Sequence, residues 1–332
     1  MGDNVPAMRA VLPHDPADPS GRPRLGELPE PVVRHGELLV EVRAAGLNQA
    51  DLLQLRGLYP PPPGESTVPG LECAGVVAAL GEGVAGWWPG QRVMALLAGG
   101  GQAERVAVPA GQAMPLPDGM SFVAGAGVPE SGLTGWTNLV AEGGLAAGET
   151  VLITGATGGV GSFTVQLARE LGAVVVAAGR DPGRLAALRA LGAEHLVALG
   201  EGMEAAVRRL TGGRGVELVI DLVGGEHLPR GLASLAARGR LVLVGLMAGR
   251  RAELDLGGVL GRRLRLVGSV LRPRPREEKA ALVAAFADFA LPRLADGRLH
   301  AVVERVFPLE RAAEAYAALA AGGVGGKVVL EL

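Results

Sequence analysis

The chain has 332 residues, 32 Lys+Arg against 34 Asp+Glu and a net charge of −2, so no global field favours nucleic acid or an anionic membrane. A single cysteine, Cys73, excludes an intramolecular disulfide framework and a four-cysteine zinc site. Mean hydropathy is +0.30, yet no run of about 18 apolar residues occurs, so alanine and buried strands must supply it.

The opening stretch MGDNVPA is polar and unpatterned, and the fold is expected to begin at Met8. It lacks the basic-then-apolar pattern of a secretory leader, which leaves a cytoplasmic protein with no membrane partner as the expectation. Residues 8–123 read as mostly β. Leu38–Val42, Cys73–Leu80, Arg92–Leu97 and Arg105–Val108 are apolar or alternating runs separated by Gly and Pro turns, the pattern of a compact barrel. Tyr59 to Gly64 carries four consecutive prolines and must be an exposed loop.

From Val123 the pattern changes. Strands are expected at Val151–Thr154, Val174–Ala178, His195–Ala198, Val216–Asp221, Arg240–Val244 and Leu264–Val270, alternating with helical segments. Six such units predict an α/β domain with a doubly wound parallel sheet of the Rossmann type. Arg272-Pro273-Arg274-Pro275 then breaks the pattern; Arg272, Arg274 and Arg276 read as a solvated loop. A helix near Glu277–Ala290, a shorter one near Leu309–Leu319 and a terminal strand Lys327–Leu332 have no place in a six-strand sheet. They are expected to return to the first domain, giving a catalytic domain of 8–126 with 273–332 around a cofactor domain of 127–272, with the cofactor in the cleft between.

Val151–Arg169 is the most specific stretch. An apolar strand runs into Ala156-Thr157-Gly158-Gly159-Val160-Gly161, a form of G-x-G-x-x-G, and then into a helix. Such a turn aims backbone N–H groups and a helix N-terminus at an anion, and its glycines let a pyrophosphate approach. The acidic residue that binds the ribose of NAD at the end of the second strand is replaced by Gly179, followed by Arg180, with Arg184 one turn on. Either arginine can pair with a 2′-phosphate, which favours NADPH, or can simply face solvent. Asp181 before Pro182 reads as a helix N-cap.

Gly46-Leu47-Asn48-Gln49-Ala50-Asp51, Gly70-Leu71-Glu72-Cys73-Ala74-Gly75 and Gly90-Gln91-Arg92-Val93 follow in the order of the medium-chain dehydrogenase/reductase superfamily. The zinc alcohol dehydrogenases of that superfamily carry a cysteine ligand where Asn48 stands and a histidine where Leu71 stands. Cys73 is at a position that holds no ligand there, and Glu72 with Asp51 alone offers too few donors for catalytic zinc. The chain resembles the zinc-free, zeta-crystallin-like quinone oxidoreductase branch from Met8 to Leu332. GLNQADLLQLRGLYPPPPG (46–64), VPGLECAGVV (68–77), ITGATGGVGSFTVQLAR (153–169) and GGVGGKVVLEL (322–332) carry the likeness. GGGQA (99–103) and PES-x-LT (129–134) are most similar to the stress-inducible NADPH quinone oxidoreductase subgroup.

The resemblance implies a GroES-like catalytic domain beside the Rossmann domain. It implies hydride transfer from NADPH to a quinone or another conjugated carbonyl, with no metal. By position it makes Asn48, Tyr59 and Asp51 the catalytic candidates. Asn48 holds the cofactor ribose or the acceptor, or is a turn residue; Tyr59 lines the substrate slot or anchors its loop; Asp51 fixes the loop. Thr134, Gly245, Leu246, Ser269, Val270, Leu271 and Lys327 become further cofactor contacts, Lys327 alternatively being a solvated charge. Glu194–Leu199 lacks the tyrosine that many members direct at the adenosine phosphate, Thr157 replaces a small residue, and Gln91 replaces an acid. Reduction of enones or enoyl thioesters, and nucleotide or RNA binding with little turnover, are the alternatives. No basic stripe with interleaved aromatics supports nucleic acid. The apolar strand Leu264–Val270 would lie at a sheet edge and predicts a homodimer.

Overall fold

A computed structural model of the chain describes residues 7–13 and 22–332. The polar opening stretch, Ala7 apart, lies outside the described residues. Two compact units are present. One holds the described residues up to Glu130 and Arg272–Leu332, and the other holds Ser131–Leu271.

The first unit opens with an antiparallel pair, β1 (Ala7–Leu12) and β2 (Arg24–Pro29). The long strand β3 (Glu37–Leu47) then runs into the short helix α1 (Gln49–Leu55). Strands β4 (Glu72–Leu80), β5 (Arg92–Leu96), β6 (Arg105–Pro109) and β7 (Ala113–Pro115) follow, then helix α2 (Phe122–Gly125). The expected strands are all present, and β3 is six residues longer than its apolar core Leu38–Val42. Helix α3 (Pro129–Trp136) carries the chain onward and ends in a π-helical turn, Thr137–Ala141.

The second unit alternates β8 (Thr150–Thr154), α4 (Gly159–Glu170), β9 (Val174–Gly179), α5 (Pro182–Ala187), β10 (His195–Ala198), α6 (Met203–Leu210), β11 (Val216–Asp221), α7 (Leu228–Ser234), β12 (Leu235–Leu243), α8 (Leu256–Arg262) and β13 (Arg265–Gly268). All six strands pair in parallel, in the order β10-β9-β8-β11-β12-β13. This is the doubly wound Rossmann sheet that the alternating pattern predicts. Its strands read as continuous apolar runs because both faces are covered: Leu152, Val176, Val219 and Leu241 share one core.

The chain then returns to the first unit through α9 (Arg276–Ala295), whose Lys279, Val283, Phe286, Ala290 and Leu294 form one buried stripe at helical spacing. Strand β14 (Val303–Pro308), helix α10 (Ala312–Ala320) and strand β15 (Lys327–Glu331) complete it. Strand β15 pairs antiparallel with β3, and β14 pairs parallel with β15 at the edge. Neither β14 nor β2 is legible beforehand. Both are mostly exposed edge strands with little apolar signal.

Candidate functional site

Strand register builds a buried polar cluster in the first unit. Leu47 on β3 lies opposite Val328 on β15, and Ala45 lies opposite Cys73 on β4. Asn48, Lys327 and Glu72 stand one residue beyond these pairs and therefore converge. Asn48 Nδ2 donates to Glu72 Oε1 at 2.9 Å, and Lys327 Nζ donates to Asn48 Oδ1 at 2.6 Å and also contacts Glu72 Oε1. Glu72 is 0 % and Lys327 3 % exposed. Gly46 makes room, because a Cβ there would collide with Glu72 Oε1. Lys327 is thus no solvated strand-start charge; its ammonium neutralises Glu72 and fixes which way the Asn48 amide faces.

Asn48 is the extended N-cap of α1, and its N–H donates to Asp51 Oδ2 at 2.8 Å. The other Asp51 oxygen accepts from Gly70 N at 3.0 Å. Asp51 is wholly buried and ties α1 to the segment that leads into Glu72. Burial pushes its carboxyl up to about 6 even against those two N–H donors. Glu130, in the first turn of α3, donates its N–H to Glu72 Oε2 at 2.9 Å. Burial first, then the Glu72 charge, push the Glu130 carboxyl up to about 8.

Arg272 closes the cluster and corrects the solvated-loop reading of the arginine run. It is 4 % exposed and donates to Ala98 O at 2.7 Å, Tyr59 O at 3.1 Å and Gln54 Oε1 at 2.6 Å. Its guanidinium lies 5.3 Å from the centre of the Tyr59 ring. Tyr59 is therefore anchored through its own backbone and ring, while its side chain stays partly open. Arg274 and Arg276 pair with Glu278 and Glu37, at 2.6 Å and 2.9 Å. Leu71 is buried and apolar. Cys73 is wholly buried in the strand core, and burial pushes its thiol up to about 12.

In the second unit the glycine turn is built from backbone. Gly155 takes a φ of +66°, and Gly158 caps α4. A Cβ on Gly161 would meet Gly155 O at 2.5 Å and Ala156 Cα at 2.6 Å, so only glycine lets α4 start this close to β8. A Cβ on Gly158 would find its nearest neighbour at 3.8 Å, so that face of the turn is open. Thr157, Gly158, Gly159 and Val160 are partly exposed, while Ala156 is buried under them. An open, glycine-lined helix start at the carboxyl end of β8 is what a dinucleotide pyrophosphate needs.

Neighbouring strand ends complete this surface. Gly179 ends β9, where a Cβ would press on Thr157 Cγ2 at 3.0 Å, which gives Thr157 a packing role. Arg180 is exposed beside it. Asp181 caps α5 by accepting from Arg184 N at 3.0 Å, with Pro182 at the first turn, as expected. Asp221, at the end of β11, accepts from Thr154 Oγ1, Val223 N and Gly224 N through one oxygen; the other is buried and unbonded. Gly245 packs on Leu222, leaving Leu246 and Val270 exposed at the ends of β12 and β13. Ser269, Leu271 and Thr134 are nearly buried.

Reasoning from sequence missed Glu72 and Glu130 as members of one cluster, and Arg272 as its clamp.

Residues 34–118 match the family model of the alcohol dehydrogenase GroES-like domain, and residues 159–288 match that of the zinc-binding dehydrogenase. Quinone oxidoreductase-like protein 2 of Bos taurus is 31 % identical over 92 % of this chain and 87 % of its own length. The quinone oxidoreductase of Thermus thermophilus, solved also with NADPH, is 36 % identical, covers 98 % of this chain and 99 % of that one, and superposes with a TM-score of 0.82. The CurK enoyl reductase is 26 % identical over 98 % of this chain and 99 % of that one, with a TM-score of 0.85. Polyketide synthases also match, but the chain spans only 7–13 % of their length.

Proposed function

The chain belongs to the medium-chain dehydrogenase/reductase superfamily, and from that premise we propose that it is an NADPH-dependent quinone oxidoreductase that works without catalytic zinc. The observation that carries the reading is the Asn48–Lys327–Glu72 arrangement. Where zinc alcohol dehydrogenases place ligands, this chain has an amide held by a buried ammonium and, at Leu71, a hydrocarbon. A fixed positive charge is already supplied there by Lys327.

Bound NADPH supplies the hydride. The chain's own tasks are to hold it, orient the acceptor and manage one proton. The turn Ala156–Gly161 presents backbone N–H groups to the pyrophosphate. Arg180 and Arg184, exposed or half-buried at Gly179, face a 2′-phosphate. Asn48 and Tyr59 flank the acceptor, with Asp51 fixing the loop that carries Asn48. In this reading Thr134, Gly245, Leu246, Ser269, Val270 and Leu271 supply further contacts to the cofactor, while Lys327 acts through Asn48.

The likeness to an enoyl reductase favours a second reading, reduction of enones or enoyl thioesters. One assay separates the two: NADPH and NADH oxidation with an ortho-quinone, a medium-chain enal and crotonyl-CoA. Turnover of the quinone with NADPH is expected to be fastest. Preference for the thioester would replace the first reading with the second. Edge strand β13, with Leu266 exposed and Leu256 and Leu260 exposed on α8, supports a homodimer through that edge in a cytoplasmic protein. Sedimentation at micromolar concentration checks it.

A further inference from the structure

We propose that the first unit carries a second ligand site, a cavity lined by Lys279 that takes a small monocarboxylate with a short apolar tail. The site is independent of the reaction proposed above, and all of its lining residues belong to the first unit.

The cavity has a volume of about 330 Å³, within the range of small-ligand pockets. Local packing builds its walls. A Cβ on Gly111 would meet the Ala280 Cβ at 2.8 Å, so the turn Ala110–Gln112 sits directly against α9. That contact brings Gln112 and Lys279, the neighbours of those two residues, to the same cavity. Elsewhere on the wall Gly100 N donates to Val68 O at 2.8 Å, which lays the segment before Pro69 along Gly99 and Gly100. Met8, Val68, Leu97 and Val106 are buried and give the cavity its apolar surface.

Lys279 is 3 % exposed, and its Nζ has one acceptor, Arg272 O at 3.3 Å. It has no ion-pair partner among the described residues. An ammonium carries three N–H bonds, so two are left without an acceptor. Gln112 is equally buried, and its amide makes no hydrogen bond among the described residues. Burial pulls the Lys279 ammonium below the ordinary lysine range; Arg276 and Arg272 act with burial, and Glu65 and Glu130 act against it.

The other charges of the cavity are already engaged or in water. Arg105 holds both oxygens of Glu30 at 2.7 Å, and Arg276 is 2.9 Å from Glu37 and 3.7 Å from Glu65. Arg34 is exposed to solvent. Arg272 does not line the cavity; its guanidinium donates to Ala98 O, Tyr59 O and Gln54 Oε1. One buried lining cation is thus unpaired, while Glu37 and Glu65 line the same space and repel a second negative charge. That balance favours a carboxylate over a doubly charged phosphate. The carboxylate accepts from Lys279 Nζ and the Gln112 amide, and its tail covers the apolar surface.

The chain has two lysines, so amine labelling read by peptide mass spectrometry assigns each one. The native protein is reductively methylated with formaldehyde and cyanoborohydride, alone and with butyrate, hexanoate, hexan-1-ol or inorganic phosphate at equal concentration. Lys279 is expected to react in the protein alone. Hexanoate is expected to slow that reaction about tenfold and butyrate less, with no effect of the alcohol or phosphate and none on Lys327. Calorimetric titration with hexanoate is expected to show affinity reduced ten- to a hundredfold in Lys279→Met and severalfold in Gln112→Leu. A Lys279 that takes no methyl group, or that hexanoate leaves unprotected, overturns the proposal. So does equal protection by hexan-1-ol or phosphate, or a Lys279→Met protein that binds hexanoate as wild type does. The labelling uses wild type, so it decides the matter even where a variant fails to fold.

Discussion

The two candidate sites of this protein are made of different material. The glycine turn of the second unit is backbone: it stays open and close-packed because side chains are missing at Gly158 and Gly161, and it carries no formal charge. The cluster of the first unit is side chain: it concentrates Asp51, Glu72, Arg272 and Lys327 out of water, with Lys327 held against Glu72. A backbone site tolerates changes in nearby charge but not added volume. A buried charge site tolerates volume better than it tolerates an unpaired partner.

The largest effect follows from that contrast. Lys327→Met keeps the stem and deletes the charge, leaving Glu72 and Asn48 Oδ1 buried without their donor. Breaking a buried pair from one side costs about 3–5 kcal/mol. Denaturant unfolding is expected to show a loss of that size, and the double variant Lys327→Met/Glu72→Gln is expected to regain more than half. A single-variant loss below about 1 kcal/mol, the size found for exposed pairs, would show that solvent reaches the pair.

The backbone site breaks differently, and two glycines three residues apart should part company. Gly161→Ala drives a Cβ to 2.5 Å from a carbonyl oxygen. It is expected to destabilise the protein by about 2 kcal/mol and to weaken NADPH binding as well. Gly158→Ala has a negative φ of −81° and 3.8 Å of clearance, so melting is expected to stay within about 0.5 kcal/mol of wild type. Its methyl group points where a phosphate would approach, so NADPH affinity is expected to fall about tenfold. Calorimetric titration and thermal melts of both variants separate packing from binding. Equal behaviour of the two would remove the distinction between a packing glycine and a cradle glycine.

The same contrast explains what was legible in the sequence. The turn at 156–161 lies in one contiguous stretch between an apolar strand and an amphipathic helix, so local pattern reveals the element and the sheet type together, and with them the proposed site. The cluster draws on residues 48, 51, 72, 130, 272 and 327. Asn48 and Asp51 are marked by their order in the chain and by family likeness. Glu130 and Arg272 are marked by nothing local, because an acid in PESGLTGW and an arginine in RPRPR read as surface residues. Only the β3–β15 and β3–β4 registers bring Lys327 and Glu72 to Asn48. Edge strands β2 and β14 were illegible for a simpler reason: an exposed edge needs no apolar alternation.

The smallest expected effect sits on the one part of the dinucleotide surface that does rely on charge. Arg180 is exposed, and the Arg184 guanidinium is 3.9 Å from Asp181 with a third of its side chain in solvent. Solvent screens such groups, unlike Lys327, and each is worth about 1 kcal/mol to a bound phosphate. Arg180→Ala and Arg184→Ala are each expected to raise the NADPH Kd about fivefold and to leave NADH binding unchanged. The difference should shrink as salt is added, because exposed charge is what is being read. Asp181 works against Arg184 in this respect, since its carboxylate already competes for the guanidinium while capping α5. Asp181→Ser keeps a capping oxygen and removes the competing charge, so it is expected to strengthen the preference for NADPH without loss of stability. If the two arginine variants bind NADPH as wild type does, neither arginine reads the 2′-phosphate, and the preference for NADPH over NADH loses its basis in this chain.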